Sequence, residues 1–170
     1  GYVKRLPPDT FKSQRRGGKG LIGSDVAEED FLSHFFSAET HDNLLFFTDK
    51  GRVFQTKVYE IPAASRTSKG KAIHNFLELP TDENVSAIVS YHPKKQQDGF
   101  LIMVTKNGVI KKTAIADFSN IRRTGIIGIR LNRGDELKWV RLSGGKDEVI
   151  LTTRLGQSIR FKEAQARPMG

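Results

Sequence analysis

The 170-residue sequence contains no cysteine, which excludes disulfide bonds and thiolate metal sites and suits a reducing compartment. It also has no apolar run of about 18 residues, the length that a membrane-spanning helix needs. Its histidines, His34, His41, His74 and His92, show no metal-binding spacing, so we expect them on the surface or in packing. The chain opens on Gly1 without an initiator methionine, and we therefore expect it to be part of a longer protein.

Catalytic and nucleotide-binding motifs are also missing. Residues 18–23 read Gly-x-Gly-x-x-Gly, but residues 11–16 before them are too polar for the buried strand that a dinucleotide-binding turn follows. Three Gly-Lys pairs lack the earlier glycine and the following Ser or Thr of a P-loop, and no Gly-x-Ser-x-Gly elbow occurs. We therefore expect no catalytic residue, no metal site and no cofactor bound by this chain.

The charge balance is strongly positive. The formal net charge is +9 and the isoelectric point is about 9.9. A balance of this kind favours a polyanionic partner, for which nucleic acid is the commonest choice and an anionic membrane surface is the main competitor.

A repeat organises the chain. Residues 44–55, 100–112 and 149–161 each combine a short apolar run, a turn that ends in glycine and a strand-like segment, and residues 1–5 resemble the second half of another copy. The turn glycines, Gly1, Gly51, Gly108 and Gly156, are 50, 57 and 48 residues apart. β-Branched and aromatic residues around such a turn predict a β-hairpin, and the continuous apolar runs predict first strands that are buried on both faces.

A basic loop follows in step with each hairpin. Arg16, Arg66 and Arg123 each lie fifteen residues past a turn glycine, within the loops 14–20, 65–70 and 121–125, and residues 166–170 begin a further copy. Taken alone, the glycine-rich loop 14–20 fits a nucleotide cradle and a DNA phosphate clamp about equally. Its sister loops keep the charge but lose the glycine pattern, which argues against the cradle.

Further strands are predicted after these loops, at residues 72–76 with 85–91 and at 128–131 with 137–142. Residues 31–36 suit a strand or a buried helix, and the repeat favours a strand. Residues 25–28 could form a helix capping box. Trp139 is expected in the core.

Units of about 50 residues with four strands each are typical of propeller blades. We predict an all-β, propeller-like domain or fragment of one. Its units are residues 1–40 (the end of one blade, unit one), 41–97 (unit two), 98–146 (unit three) and 147–170 (the start of a fourth, unit four). The two half units could alternatively complete one blade between them.

Equivalent loops of successive blades fall on the same edge of a propeller, so the basic loops predict a curved positive belt. A curved belt suits an arc of duplex, and the absence of interleaved aromatics argues against stacking on single strands. Such contacts would go to phosphates, without sequence preference and with strong salt dependence. The alternatives are solvating surface charges and a platform for acidic protein partners.

The sequence resembles the C-terminal DNA-wrapping domain of DNA gyrase A, part of a type IIA topoisomerase. The resemblance is carried by the seven-residue box at 14–20 and by residues 2–7, 44–48, 51–53, 60–62, 65–66, 69–70 and 167–170. The related domain of topoisomerase IV shares the repeats but has a degenerate or missing box, so the intact box favours gyrase.

The resemblance implies a β-pinwheel of usually six blades that exchange strands, of which this chain would hold about half. It implies chiral wrapping of duplex DNA in support of ATP-dependent negative supercoiling, with the remainder of gyrase A and with gyrase B in an A2B2 assembly. ATP and Mg would bind other domains, the location would be the bacterial cytoplasm at the nucleoid, and no membrane would be involved. The expected DNA-binding residues are Gln14, Arg15, Arg16, Gly17, Gly18, Lys19, Gly20, Arg66, Lys69, Lys71, Arg122 and Arg123.

Overall fold

β-Strands joined by short turns make up most of the regular structure in the computed structural model, which describes residues 1–10 and 31–170. The strands are β1 (Tyr2–Val3), β2 (Asn43–Thr48), β3 (Arg52–Lys57), β4 (Lys71–Ala72), β5 (Val85–Tyr91), β6 (Phe100–Thr105), β7 (Ile110–Ala114), β8 (Ile126–Ile127), β9 (Leu137–Ser143), β10 (Glu148–Thr152) and β11 (Ser158–Lys162). One helical turn, α1 (Ile73–Phe76), follows β4, and 3₁₀ turns lie at Pro8–Thr10, Val58–Glu60, Ile115–Phe118 and Glu163–Gln165. No helix in these described ranges is long and apolar enough to span a membrane.

The three predicted hairpins are confirmed and share one turn design. β2–β3, β6–β7 and β10–β11 are antiparallel pairs. The turn glycines have positive φ angles, +82° at Gly51, +84° at Gly108 and +86° at Gly156. In each turn the glycine N–H donates to the carbonyl of a threonine three residues earlier, and the threonine hydroxyl accepts the N–H of the residue after the glycine. Glycine is required there because other L-residues rarely adopt this φ.

Two of the described sheets include a strand from the next unit. Unit two contributes β5, β2 and β3, in that order, and the fourth strand is β8 of unit three. The pairing sets Arg52 opposite Ile127 and Val53 opposite Ile126. β4 of unit two pairs in the same way with β1 of unit one. The four-stranded blade and the exchange of strands between blades are thus both present.

Two apolar clusters fill the spaces between successive units. One is built on β2 side chains that face unit one, such as Leu44 and Phe46, with Leu77 and Leu79. The other joins the opposite face of β2 to β6 and β9, where Leu45 and Phe47 meet residues such as Met103. Because side chains alternate along a strand, β2 serves both clusters and is buried along its whole length, as the sequence predicted.

A buried ion pair joins units three and four. Lys112 Nζ lies 2.8 Å from Glu163 Oε1, and the two side chains are only 4% and 0% exposed. The Lys112 ammonium also lies 4.2 Å from the centroid of the Phe100 ring, and the Glu163 carboxylate accepts hydrogen bonds from the Ser143 hydroxyl and the Asp147 N–H. Glu163 starts a 3₁₀ turn seven residues after its turn glycine, where units two and three place the apolar residues Val58 and Ile115.

Several strand predictions are wrong, although residues 85–91 and 137–142 are strands as expected. Residues 31–36 form no strand, because β5 and β9 exist by pairing with β2 and β6 and the described residues hold no equivalent partner for 31–36. The strand predicted at 72–76 is β4 followed by α1, and the strand predicted at 128–131 lies earlier, at β8. The helix considered at 25–28 lies outside the described residues.

Burial also departs from the prediction at the edges of the structure. Trp139 is 54% exposed, and β10 is only partly buried. Both lie next to the sheet of unit four, in which β10 and β11 are the strands found among residues 1–10 and 31–170, so no described inner strand of that unit covers them.

We expect Glu163→Ala to lower the free energy of unfolding by about 3–5 kcal/mol, because it leaves the Lys112 ammonium buried without its partner. The control is Glu148→Ala, which breaks an exposed pair with Arg160 and should cost less than about 1 kcal/mol. Urea denaturation of both variants measures the difference. Equal, small losses would show that the buried pair does not hold unit four in place.

Candidate nucleic-acid interface

The basic loops of units two and three occupy the same place in the fold. Each runs up to the exchanged outer strand and ends in a glycine of positive φ, +83° at Gly70 and +76° at Gly125. A Cβ added to Gly70 would lie 2.6 Å from the Val3 carbonyl oxygen, and one added to Gly125 would lie 3.0 Å from that of Val53. Both carbonyls stand two residues after the turn glycine of the preceding unit. The loops are therefore fixed at the outer edge of each sheet by the same close approach.

In the loop 65–70 and at the start of β4, two predicted contacts are exposed lysines whose side chains lie near aromatic rings. Lys69 Nζ lies 4.9 Å from the ring centroid of Tyr2, and Lys71 Nζ lies 6.0 Å from that of Phe76. Contacts of this kind restrict the lysine stem while the ammonium stays accessible to an anion. Arg66, the third predicted residue here, is half-buried.

A lysine that was not among the predicted contacts holds the same loop. Lys4 Nζ donates to the carbonyl oxygens of Ser65 (3.2 Å), Arg66 (2.6 Å) and Ser68 (2.8 Å). The loop closes on itself as well, because the Ser68 N–H donates to the Ser65 carbonyl at 3.3 Å. The ammonium therefore lies inside the curve of the loop.

In the loop 119–125, Arg122 and Arg123 are exposed. Arg123 Nε lies 3.1 Å from Glu78 Oε1 of unit two, in a pair whose arginine side chain is 89% exposed. An ion pair in solvent is worth no more than about 1 kcal/mol, so a phosphate can displace Glu78 at little cost. Arg52 of the preceding unit donates from Nη2 to the Thr124 carbonyl, which ties this loop down as Lys4 ties the other.

Residues 166–170, which start the fourth loop, are held against the preceding unit by the same kind of backbone hydrogen bond as the segment before the loop 65–70. The Met169 N–H donates to the Lys112 carbonyl at 2.8 Å, as the Ala64 N–H donates to the Arg5 carbonyl at 3.1 Å. Lys111 Nζ then reaches the Gly170 carbonyl at 3.3 Å and the Gly128 carbonyl at 2.9 Å.

Sequence reasoning missed Lys4, Arg52 and Lys111 as part of the interface. The available signal was position, since Lys4 and Lys111 both stand three residues after a turn glycine. The predicted residues Gln14, Arg15, Arg16, Gly17, Gly18, Lys19 and Gly20 lie outside the described residues. Arg66 and Lys69 lie in one loop and Lys71 starts the strand β4 that follows it, while Arg122 and Arg123 lie in the equivalent loop of the next unit.

Within the described residues, one group of side chains could approach a metal ion. Ligand atoms of Glu39, Asp42 and His92 lie within 4.8 Å of one another. The Lys95 ammonium, however, lies 2.9 Å from Glu39 Oε1, and its hydrogen bond and charge hold the pKa of Glu39 below its usual value. The His92 Nδ1 accepts the Lys94 N–H, which leaves Nε2 protonated in the neutral ring and facing Glu39. The group is arranged as an ion-pair cluster.

Comparison with known families finds a match along nearly the whole chain. A family described as "DNA gyrase C-terminal domain, beta-propeller" matches residues 1–39, 42–90, 99–143 and 147–170. The match confirms the predicted family and the propeller-like fold.

Curated relatives and solved structures agree with this match. The chain is 44% identical to the DNA gyrase A protein of Clostridium acetobutylicum and 46% identical to that of Halalkalibacterium halodurans, over all of this chain and 20% of each relative. It is 26% identical to the C-terminal domain of DNA topoisomerase IV, with a TM-score of 0.80 over 100% of this chain and 51% of that one. A structure of the DNA gyrase A C-terminal domain gives 26% identity and a TM-score of 0.74 over 99% and 54%. The chain thus spans about a fifth of the curated relatives that it matches.

We expect Gly70→Ala to separate β4 from β1, since the new Cβ would clash with the Val3 carbonyl in addition to being strained by φ. Gly134→Ala is the matched control, because Gly134 also has a positive φ of +79° but no atom within 4 Å of its added Cβ, and strain alone costs about 1–2 kcal/mol. Hydrogen exchange of the Ile73 amide, which donates to the Gly1 carbonyl, should accelerate in Gly70→Ala while the Gly51 amide changes far less. Similar exchange in both variants would contradict a close-approach role for Gly70.

Proposed function

Because this chain belongs to the DNA gyrase C-terminal domain family, we propose that it binds duplex DNA without sequence preference and wraps it around its basic outer edge. The observation that supports the proposal most is the repeated placement of a basic loop directly before an exchanged outer strand, at Gly70 and at Gly125. Two equivalent loops on successive units form a path of positive charge rather than an isolated patch.

Phosphate contacts in this proposal come from Arg66 and Lys69 on one loop, from Lys71 at the start of β4, and from Arg122 and Arg123 on the next loop. All but Arg66 are exposed, so binding requires little desolvation of buried charge. No recognition helix is present in the described ranges, and the contacts go to the DNA backbone. Affinity should therefore depend on charge and curvature and hardly on base sequence.

Wrapping requires many such contacts at once. Bending a 20–30 base-pair site of duplex costs roughly 1–6 kcal/mol and up to about 10 with stiff sequences. A single exposed loop cannot offset that cost, whereas a series of loops along a curved edge can. The glycine-rich box at 14–20, which begins with Gln14, is the proposed final contact of the wrap. In it Arg15, Arg16 and Lys19 hold phosphates, and Gly17, Gly18 and Gly20 allow the backbone to approach closely.

The wider activity follows as part of the same proposal. The chain serves as an accessory DNA-binding part of a bacterial gyrase and has no catalytic site of its own, while ATP and Mg act on other domains. The remainder of gyrase A and its partner gyrase B, in an A2B2 assembly in the cytoplasm, would use the wrapped duplex for negative supercoiling.

A second candidate is the equivalent domain of topoisomerase IV. The TM-score of 0.80 to a topoisomerase IV domain, against 0.74 to a gyrase domain, favours it. The intact box and the identity of 44–46% to gyrase A proteins favour gyrase. The two differ in how strongly they wrap DNA, so supercoiling by the assembled enzyme separates them.

We expect Lys69→Ala/Arg122→Ala to lessen the slope of log K against log salt by about 1.8, since each lost phosphate contact accounts for about 0.9. The control Lys94→Ala/Lys106→Ala removes the same charge from exposed lysines outside these loops and should leave the slope nearly unchanged. Equal slopes for both variants would point to a general charge effect. Binding without any dependence on duplex length would favour a platform for acidic proteins.

Arg15→Ala/Arg16→Ala/Lys19→Ala should abolish supercoiling by a reconstituted gyrase that carries this chain and leave ATP-dependent relaxation largely intact. The reason is that relaxation needs strand passage but no chiral wrap. Plasmid supercoiling and relaxation assays measure the two activities side by side. An unchanged supercoiling rate would remove the box from the proposal.

A further inference from the structure

Arg52 is held in three places at the boundary between unit two and unit three. Its Cζ lies 5.6 Å from the centroid of the Phe54 ring, and its Nε lies 3.7 Å from Glu83 Oε1. Its Nη2 donates to the carbonyl of Thr124, which follows Arg123 in the basic loop of unit three. Contacts from its own strand, from the segment before β5 and from the next unit therefore fix the position of the guanidinium.

The Glu83 carboxylate is buried and depends on Arg52 for a countercharge. Its side chain is 7% exposed, and Oε2 accepts no hydrogen bond from the described residues. Asp135 stands at the equivalent position of unit three, two residues before the inner strand, and there one carboxylate oxygen accepts two backbone N–H groups. A buried carboxylate without such donors is costly unless a cation lies beside it. The contact that Glu83 makes is therefore with the guanidinium.

Part of the guanidinium is left for an anion. A guanidinium has five N–H donors, and Nη1 of Arg52 donates to none of the described residues. The Nε atom is buried, yet the Arg52 side chain as a whole is 36% exposed. The unused donors belong to a guanidinium that touches the loop of Arg122 and Arg123, the proposed phosphate contacts of unit three.

The fold itself does not call for an arginine at this position. The residue after the turn glycine is Tyr2, Val109 or Gln157 in the other units, and each of these begins a strand or directly precedes one. β1 still pairs with the borrowed strand β4, although Tyr2 takes the place of Arg52 there. Neither the hairpin nor the exchange of strands therefore explains the arginine of unit two.

A planar guanidinium that is held in place and has unused donors suits a phosphate, which it can bind through two N–H groups. We propose that Arg52 is a further contact to the DNA backbone. It acts in a composite site in which Arg52 of unit two and Arg122 and Arg123 of unit three hold adjoining phosphates. Glu83 is a positioning residue that anchors the Nε side of the guanidinium and leaves the Nη1 side for the phosphate. The inference rests on the proposed function and adds to it a contact from outside the basic loops.

The test is duplex binding by Arg52→Met over a series of salt concentrations. We expect the association constant to fall about tenfold at low salt, and the slope of log K against log salt to lessen by about 0.9, because one phosphate contact is lost. Lys94→Met, the charge-matched control outside the basic loops, should change neither quantity. A fall in affinity with an unchanged slope would show that Arg52 only fastens the loop, and would overturn the contact.

Nitrogen resonances of the arginine side chains supply a readout that needs no variant. In the unmodified chain, a short duplex should shift the Nη resonances of Arg52 together with those of Arg122. If Arg52→Met fails to fold, this titration decides alone. Arg52 resonances that stay in place while the duplex binds would overturn the inference.

Glu83→Gln tests the positioning role, because it keeps the size of the side chain and removes its charge. We expect the association constant to fall about threefold with an unchanged slope, and we expect no effect of the same substitution in the Arg52→Met background. Higher affinity in Glu83→Gln would show that Glu83 only offsets the charge of Arg52. An equal fall in both backgrounds would show that Glu83 acts on the fold. Either result would overturn its positioning role.

The outcomes separate this inference from the proposed function. Duplex binding with an unchanged slope in Arg52→Met and unmoved Arg52 resonances would overturn the composite site and leave the function standing. Failure of the unmodified chain to bind duplex DNA at all would overturn the function, and the inference with it.

Discussion

At each described sheet edge that carries a basic loop, the outermost strand has two residues and comes from the next unit. β8 completes the sheet of β5, β2 and β3, and β4 pairs with β1. Two residues supply few ladder hydrogen bonds, each worth about 1 kcal/mol net, so such a strand cannot hold its position unaided. It is held by the glycine before it, which brings the chain against the preceding hairpin, and by cations such as Lys4 and Arg52 that enter the loop from that hairpin. Strand exchange, close approach and cation capture form one joint between neighbouring units.

The way in which neighbouring units are joined places the basic loops at the surface of the outer edge. The loop that precedes each borrowed strand must cross from one unit to the next, so it lies at the surface with its side chains in solvent. Lys69 and Arg122 are exposed in these loops, Lys71 is exposed at the start of β4, and Arg123 forms an ion pair with Glu78, which is itself exposed. A duplex laid along this edge meets charges on an ordered backbone. The loops have already lost their conformational entropy on folding, so binding does not have to order them. Exposed charge on a rigid support suits a partner whose bending costs several kcal/mol.

The sequence predicted what local chemistry determines and missed what distant partners decide. The hairpins at Gly51, Gly108 and Gly156 were predictable because glycine, threonine and apolar runs act within a dozen residues. The outer strands were misplaced by a few residues, since their positions depend on β1 and β3. Residues 31–36 are mostly apolar, as β5 is, but have no described partner strand, and Trp139 lies at a face that no described inner strand covers. The Lys112–Glu163 pair and the Lys4 contacts join residues more than fifty positions apart, and no local pattern signals them.

The central claim is that the two equivalent loops guide duplex DNA along a curved path. The most direct measurement is the change in linking number when a relaxed plasmid is closed by a nicking-closing enzyme in the presence of a complete gyrase A protein that carries this chain. The account predicts topoisomers displaced in one direction, in proportion to bound protein, and a smaller displacement for Lys69→Ala/Arg122→Ala than for Lys94→Ala/Lys106→Ala. The same displacement for both variants, or no displacement by the unmodified protein, would contradict it.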